Sequence, residues 1–487
     1  MFQSIKRLTK HSAVYGIGYI VSRSIGFLLL PIHTNYLLPG EYGIAALLFS
    51  SLAIMNIIFS YGMDVAFLRF FILEDDEHKK HVVFSTAFWM IFGTGLCFSS
   101  ILVFFPTPFS HIIFRTTHYI VLVRLAGGIL LADTMALIPF LLLRGEEKSV
   151  TFITLKLLNV AANFGFNILF VVILKRGVVG VFTANLIASV FTLITVAPIL
   201  LKWLVPKFEK DTLFELLRFG LPYVPSGLSV IIMDQIGRFF LDRMIGKEAT
   251  GIFSASYKLG MFMALVVAAF RFAWHPFFLS TSKQDDAPKI FARVLTYFLA
   301  VTGFVFLTIS YFINEIIHFH LLGISLFGEG YTSGIRIVPI IMLAYIGYGI
   351  YVNFIVGVYL KKKTSILPFV TGIGALVSIL ANFLLIPHFG IVGAAWATFL
   401  AYASMTAALY LVSYRLYPIP YETGRILKLF GSGTLLFILG TLILSNGWIQ
   451  LFLLISFPFL LWILGFFNKG EKLVVKQFLE KKLKLGK

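Results

Sequence analysis

An arginine lies inside a long apolar run near the start of the chain. Residues 19–37 read YIVSRSIGFLLLPIHTNYL, and Arg23 is the charged residue in this stretch. A charge deep in a bilayer helix costs about 2.5–3.5 kcal/mol on insertion scales, and Arg23 lies roughly 16 Å into its run, too deep for easy snorkelling. A guanidinium can bind phosphate oxygens bidentately. We predict that Arg23 faces an internal cavity and binds an anionic ligand, with a structural ion pair as the alternative.

Other ionisable residues also lie within or at the edges of apolar runs, and basic ones are in excess among them. They are Asp64, Arg69, Arg124, Asp133, Lys156, Asp234, Arg238, Asp242, Arg243, Lys258 and Arg271. Ionisable groups at membrane depth are candidates for function. We predict that Arg271, Arg238 and Lys258 assist Arg23 in binding the ligand. Because Asp234 and Arg238 are four residues apart on one helix face, mutual neutralisation is the alternative for that pair.

Two of the carboxylates are candidates for binding a coupling ion. Asp64 and Asp234 each lie in an apolar run. A carboxylate in such a place can bind a proton or Na⁺ and bias one conformation if its affinity differs between conformations. For Asp64, a pair between helices is the competing interpretation.

Motifs for other chemistry are missing from the sequence. There is no Walker loop, H-E-x-x-H or G-x-S-x-G pattern, and the histidines and carboxylates lack metal-ligand spacing. We therefore expect no cofactor, no metal and no enzymatic activity. A membrane-embedded polysaccharide polymerase, acyltransferase or glycosyltransferase is the competing class, but the longest predicted outer connection, residues 318–336, is short for such an enzyme.

The composition indicates what must hold these charges. Only 13% of the 487 residues are charged, 59% are hydrophobic, and the mean hydropathy is +0.93. Apolar stretches long enough to cross a bilayer recur along the whole chain. We predict an all-α polytopic membrane protein with fourteen spans: 12–38, 42–71, 82–106, 118–143, 150–174, 177–203, 214–241, 249–279, 290–317, 335–360, 364–387, 390–416, 424–445 and 448–467.

The distribution of positive charge predicts the orientation of these spans. Most of the 40 lysines and arginines fall at the amino terminus, in alternate loops and in the carboxyl-terminal tail. Because cytoplasmic loops carry the excess of positive charge, we place both termini in the cytoplasm. The basic tail, residues 469–487, is expected to be an anchor at the membrane interface rather than a nucleic-acid-binding segment.

The two halves of the chain resemble each other weakly. YIVS at 19–22 recurs as YVPS at 223–226, and NILFVVILKRGVVGVFTA from Asn167 matches NFLLIPHFGIVGAAWAT from Asn382. Gly43 and Gly177 correspond to Gly251 and Gly390 at similar shifts. Six helices per copy predict two lobes related by a pseudo-twofold axis along the membrane normal, plus two further helices. The predicted domains are 1–210, 211–418, 419–468 and the tail 469–487.

These stretches resemble a known family. Residues 12–48, followed by YGMDVAFLRFF, are similar to the amino-terminal signature of bacterial O-antigen-type polysaccharide flippases of the multidrug/oligosaccharidyl-lipid/polysaccharide exporter (MOP) superfamily. FAWHPFF at 272–278 and FGIVGAAWAT at 389–398 resemble further marks of it. The resemblance implies alternating-access transfer of undecaprenyl-pyrophosphate-linked oligosaccharide to the periplasmic leaflet. It also implies membrane lipids as partners, with a polysaccharide polymerase and chain-length machinery as candidate protein partners.

Two other branches of the superfamily provide alternatives. Residues 22–27, SRSIGF, resemble the S-R-x-x-G-F element of lipid II flippases, which puts Arg23 on that family's cavity arginine. The next cationic position of that motif is Leu29 here, which favours the polysaccharide branch. Multidrug extruders handle cationic drugs, and a cavity lined by arginine suits those substrates poorly.

Overall fold

The computed structural model describes residues 27–321, 323–443, 446–468 and 471. Arg23, the first predicted binding residue, lies outside the described residues, as does nearly all of the basic tail. The strands of the described part form one short antiparallel hairpin, β1 (His320–Leu321) and β2 (Ile324–Ser325). We call the end of the helix bundle with this hairpin the hairpin face. The opposite end, with the loops around 204–209 and 361–363, is the basic face.

The first group of helices comes from the first 203 residues. Its members are α1 (Leu30–Tyr36), α2 (Pro39–Ser60), α3 (Met63–Leu73), α4 (Glu77–Phe104), α5 (Pro106–Phe114), α6 (Ile120–Gly145), α7 (Ser149–Asn167) and α8 (Gly177–Trp203). Helix α6 packs on α4 and α8, and α7 packs on α8. A π-helical turn, Ile168–Ile173, extends α7 towards the hairpin face.

The second group follows the loop 204–209. Its members are α9 (Lys210–Gly220), α10 (Val224–Met244), α11 (Lys247–Gly260), α12 (Phe262–Thr281), α13 (Ala287–His318), α14 (Val338–Leu360) and α15 (Leu367–Leu416). Two more helices, α16 (Thr423–Ile438) and α17 (Gly447–Ile463), end the described chain. Helix α15 packs on both α10 and α14, whereas α16 packs on α13.

The described residues contain ten helices that are long and apolar enough to cross a membrane. The prediction of an all-α polytopic membrane protein is therefore confirmed. Three features account for the difference between these ten helices and the fourteen predicted spans. The first span lies mostly outside the described residues, two predicted spans are joined in α15, and α16 and α17 are individually short.

Glycines with left-handed backbones make the sharp turns between paired helices. Gly390 has φ 56° and ψ −132°, and it divides α15 into two helices that fold back on each other. Gly177, its counterpart in the first half, has φ 54°. Three residues beyond each turn another glycine, Gly393 or Gly180, packs against backbone of the preceding helix. Residues that carry a side chain rarely adopt these backbone angles, which explains why glycine is found at both turns.

Hydrogen bonds repeat the same correspondence between the halves. The Nδ2 of Asn167 donates to the carbonyl and side-chain oxygens of Asn163, and that of Asn382 donates to the same two kinds of atom on Ser378. The sequence repeat therefore has a structural counterpart in the described helices.

The two groups of helices meet along α2. Near the hairpin face a Cβ built on Gly43 would lie 2.0 Å from the carbonyl oxygen of Lys247, and one on Gly251 would lie 1.8 Å from that of Pro39. Near the basic face, a Cβ on Gly62 would lie 2.1 Å from the Gly220 oxygen. Only glycine allows backbones to approach this closely, so the two groups pack tightly at both ends of this interface.

The last two helices are attached to α13 by a charged cluster at the basic face. Arg425 donates to both carboxylate oxygens of Glu422 at 2.9 Å and to Glu471 at 3.0 Å, and Thr296 of α13 donates to Glu422 at 2.7 Å. Burial alone would raise the pKa of Glu471, but the Asn468 N–H and the Arg425 charge hold this pKa below its usual value. This cluster fixes the position of α16 against α13.

Candidate functional site

The predicted site residues of the second half lie on α10, α11 and α12. These are Asp234 and Arg238 on α10, Lys258 on α11 and Arg271 on α12. Helix α14 supplies further polar side chains to the same region, and α2 contacts it from the first group of helices. The site therefore lies where the two groups meet.

Asp234 is the centre of a cluster of tyrosine hydroxyls. Its Oδ1 accepts hydrogen bonds from Tyr402 at 2.6 Å, Tyr257 at 3.1 Å and Tyr345 at 3.3 Å. The three tyrosines are nearly fully buried and come from α15, α11 and α14. Hydroxyl donors stabilise an ionised carboxylate, and one carboxylate here joins four helices.

Arg238 does not neutralise Asp234 through their side chains. Its Nη1 donates to the backbone carbonyl of Asp234 at 2.6 Å and to the Gln235 side chain at 2.9 Å. Its guanidinium also lies 4.7 Å from the centroid of the Tyr257 ring. Arg238 is only 7% exposed. The two side chains therefore form no direct salt bridge, because the backbone and an amide take the guanidinium's hydrogen bonds.

Gln235 connects this cluster to the first group of helices. Its Oε1 accepts one hydrogen bond from Arg238 and another, at 2.9 Å, from the hydroxyl of Ser50 on α2. Separation of the two groups of helices near this point would break the bond to Ser50.

Lys258 and Arg271 are the more accessible cations of the site. Both are partly exposed, and they are thirteen residues apart along α11 and α12, about 20 Å by helical rise. Lys258 Nζ lies 5.4 Å from the ring centroid of Tyr42 on α2, and among the described residues no carboxylate is within salt-bridge distance of it. Arg271 donates from Nη1 to the hydroxyl of Tyr348 at 3.0 Å.

Asp64, the other coupling-ion candidate, lies elsewhere. It is in the first turn of α3, directly after the left-handed residues Tyr61 and Gly62, and its side chain is exposed. Its electrostatic partner is Arg144 at the end of α6. The structure does not bring Asp64 to the cluster around Asp234.

A buried polar pair occupies the first-half position that corresponds to the region next to Asp234. His33 Nε2 and Asn167 Oδ1 are 3.0 Å apart, and both residues are almost fully buried. In the second half, Asn382 corresponds to Asn167 and Gly237 to His33. There the Asn382 Oδ1 has no hydrogen-bond partner among the described residues and faces Gly237. The two halves thus share a framework but differ in polar content.

A hydrogen-bonded contact joins the two groups at the hairpin face. Lys247 Nζ lies 3.3 Å from the buried carboxylate of Asp242 and donates at 3.2 Å to the carbonyl of Phe114, at the end of α5. Nearby, Arg115 donates to the carbonyl of Arg243 at 3.4 Å. We call Lys247, Asp242 and Phe114 the latch. Sequence reasoning named Asp242 but missed the latch, because Phe114 is 133 residues from Lys247 along the chain.

The arrangement combines accessible cations with a carboxylate held by hydroxyl donors. Two partly exposed cations lie on consecutive helices, Lys258 on α11 facing Tyr42 of the first group and Arg271 on α12 bonded to Tyr348. The tyrosine donors to Asp234 were missed from sequence, because Tyr257, Tyr345 and Tyr402 come from three different helices.

Solved structures with the same fold are membrane transporters. The structure titled "Lipid II flippase MurJ, inward closed conformation" matches with a TM-score of 0.69 and 15% identity, over 93% of this chain and 98% of that one. "Crystal structure of MATE in complex with MaD3S" matches at 0.59 and 15% over 84% and 95%. A MOP superfamily transporter from Pyrococcus furiosus matches at 0.55 and 16%, also over 84% and 95%.

A family assignment comes from the sequence itself. The family described as "Polysaccharide biosynthesis protein" matches residues 8–282, more than half of the chain. The chain belongs to this family, and its fold is that of the MOP exporters, so the predicted resemblance is confirmed. A sequence comparison with curated proteins finds no match.

Proposed function

We propose that the protein flips undecaprenyl-pyrophosphate-linked oligosaccharide from the cytoplasmic to the periplasmic leaflet for polysaccharide biosynthesis. The observation that carries this proposal is the pair of partly exposed cations in a member of a polysaccharide biosynthesis family: Lys258, which faces Tyr42 of the first helix group, and Arg271 on the following helix. Arg23 would add a cation from the first group. Arg238, which is buried in the closed arrangement, would join when the groups separate.

The chemistry of the carrier explains why cations are needed. A pyrophosphate crossing hydrocarbon carries negative charge that the bilayer cannot solvate, so fixed positive charges must replace water. Arginine suits this role because its planar guanidinium matches two phosphate oxygens at once. The ligand in turn offsets the cost of keeping these cations in the membrane.

The test is a leaflet-accessibility assay in vesicles that contain the purified protein and a defined undecaprenyl-pyrophosphate oligosaccharide. We expect Arg271→Ala to slow flipping about 10- to 100-fold, because a charge-assisted hydrogen bond contributes about 1.5–3 kcal/mol, and Arg271→Lys to recover part of the rate. Flipping should likewise be lost in Arg23→Ala and partly recovered in Arg23→Lys. The matched control is Arg124→Ala, an exposed cation of α6 whose Nε binds the Val103 carbonyl. Normal flipping by folded Arg271→Ala would contradict the proposal.

For energy coupling we infer that an ion gradient or membrane potential drives the cycle, with Asp234 as the first carboxylate to test and Asp64 as the second. The three hydroxyl donors and the unpartnered Asn382 oxygen one helix turn away support Asp234. Asp234→Asn keeps an acceptor for the tyrosines but removes the charge. Dependence of flipping on pH and Na⁺ should disappear in Asp234→Asn and persist in Asp64→Asn, and the opposite result would transfer the role to Asp64.

The cellular setting is part of the same proposal. We place the protein in the bacterial inner membrane with both termini in the cytoplasm, which makes the basic face cytoplasmic and the hairpin face periplasmic. The proposed domains are lobes 1–210 and 211–418, the helix pair 419–468 and the tail 469–487. A polysaccharide polymerase and chain-length machinery are the candidate protein partners.

Lipid II transfer for peptidoglycan synthesis is the second candidate function. The SRSIGF stretch at 22–27 favours it, whereas Leu29 in place of the next cation of that motif does not. The two functions share the pyrophosphate chemistry and differ in the glycan. Flipping of lipid II in preference to other lipid-linked oligosaccharides in the same vesicles would establish this alternative.

A further inference from the structure

Beside Arg271 the second half of the chain presents a cluster of aromatic rings with polar tips. Tyr348 and Tyr359 lie on one face of α14, within about 20° of each other by helical rotation. His275, one turn from Arg271 on α12, has its ring centroid 5.2 Å from that of Tyr359. Tyr223, at the start of α10, is near Tyr359, as are Arg271 and Tyr348. We call Tyr223, His275, Tyr348 and Tyr359 the tyrosine platform.

The platform differs from the buried tyrosines in the use of its hydroxyl groups. Tyr257 and Tyr402 donate their hydroxyls to Asp234, and both rings are nearly fully buried. The platform rings are partly or largely exposed, and Tyr223 is 43% exposed. Tyr348 accepts a hydrogen bond from Arg271 and therefore keeps its own proton for another acceptor. Within the described residues, the hydroxyls of Tyr223 and Tyr359 have no hydrogen-bond partner.

Membrane depth separates the platform from an ordinary belt of interfacial aromatics. Tyrosine is common at the membrane surface, and Tyr223 and Tyr359 lie near the basic face. Tyr348, however, is twelve residues from the end of α14 at Leu360, about 18 Å deeper. An interfacial belt does not extend so deep, so the platform runs from the basic face into the interior of the membrane.

The chemistry of the platform matches a sugar ring. Aromatic faces pack against the C–H groups of a pyranose, while tyrosine hydroxyls and an imidazole exchange hydrogen bonds with its hydroxyl groups. A lipid tail has no groups that could form hydrogen bonds with these hydroxyls, and Arg271 would repel a cationic drug. The neighbouring guanidinium instead suits the phosphate to which the first sugar of a lipid-linked glycan is attached.

We propose that the tyrosine platform binds the sugar next to the pyrophosphate while Arg271 holds the phosphate. This inference rests on the proposed function and deepens it, because it assigns recognition of the glycan to residues of α10, α12 and α14. The carrier lipid alone would bind through the cations, and the sugar would add affinity through the rings.

Binding of two probes to the purified full-length protein tests this assignment. The probes are undecaprenyl pyrophosphate and the same lipid carrying one N-acetylhexosamine. The wild type should bind the sugar-bearing probe more tightly. Tyr359→Leu should reduce that preference about fivefold, since an aromatic contact contributes about 0.5–1.5 kcal/mol, and leave the affinity for undecaprenyl pyrophosphate unchanged. Arg271→Ala should lower the affinity for both probes. Tyr414→Leu, an exposed tyrosine at the far end of α15, is the matched control.

The outcomes distinguish the two levels of the proposal. The platform assignment is overturned if Tyr359→Leu keeps the preference for the sugar-bearing probe, or if Tyr414→Leu loses it equally. It is also overturned if the wild type binds both probes equally. In those cases the proposed function stands, because the carrier still binds. A wild type that binds neither probe overturns the proposed function and the platform with it. Tyr348→Phe and Tyr223→Leu, which should each lower the preference, provide independent readings if Tyr359→Leu is poorly folded.

Discussion

Adding one methyl group at Gly43 should open the hairpin face. The Cβ of Gly43→Ala would lie 2.0 Å from the carbonyl oxygen of Lys247, whereas C···O contacts are normally about 3.3 Å or longer. Helices α2 and α11 must therefore separate by about 1.3 Å at their crossing. Overpacking of this kind costs about 1–3 kcal/mol, and the upper value shifts the ratio of closed to open protein about 150-fold. Because the obstacle is backbone, side-chain rotation cannot relieve it.

The assay is cysteine labelling at this crossing. Cys97, the one cysteine of the chain, is replaced by serine, and Ser254→Cys, buried on α11 one turn beyond Gly251, is the reporter. Gly43→Ala should speed labelling and slow flipping. Gly40→Ala is the matched control, since its Cβ would meet nothing within 4 Å. Equal labelling rates in Gly43→Ala and Gly40→Ala would refute the reasoning.

Three further predictions concern the latch, the charged cluster and the orientation. Lys247→Met removes the bond to Phe114 and should favour the open hairpin face about tenfold in the same labelling assay, because a hydrogen bond from a charged group contributes about 1.5–3 kcal/mol. Arg425→Met leaves two carboxylates facing each other and should lower the free energy of unfolding by about 3 kcal/mol, measured in detergent. Reporter fusions should be cytoplasmic at Gly145 and periplasmic at Ile324, and the reverse pattern would invert the proposed orientation.

Hydropathy and charge were sufficient to predict the class of fold, because long apolar runs have few stable alternatives to membrane helices. The repeat was predicted from matching stretches at similar shifts, and the structure gives the matched glycines, Gly177 and Gly390, positive φ angles at equivalent turns. The predicted spans 364–387 and 390–416 agree with the structure in the same way, because Gly390 divides α15 into two helices at the predicted boundary.

The site was predicted less completely than the fold. Residue type and depth identified Asp234 and Arg238 as candidates, and their spacing suggested that the two side chains pair with each other. In the structure Asp234 instead accepts hydrogen bonds from tyrosines, and Arg238 donates to a backbone carbonyl and to Gln235. Two of the three tyrosines, Tyr345 and Tyr402, come from α14 and α15, 111 and 168 residues along the chain from Asp234. A contact of that range depends on how helices pack, which the pattern of one helix does not determine. Arg23 remains a prediction, since it lies outside the described residues.

The contact between Gly43 and Gly251 is reciprocal. Gly43 faces the carbonyl of Lys247, and Gly251 faces that of Pro39, while both pairs of counterparts are separated by 208 positions in the chain. Such mutual exchange of partners is the mark of an isologous interface, the kind formed by two identical subunits across a twofold axis. In a dimer of half-length chains, one glycine position would supply both halves of this contact. A single mutation would then alter both sides of the interface. Fusion of the halves into one chain frees each side to vary independently, as His33 and Gly237 have done at another pair of equivalent positions.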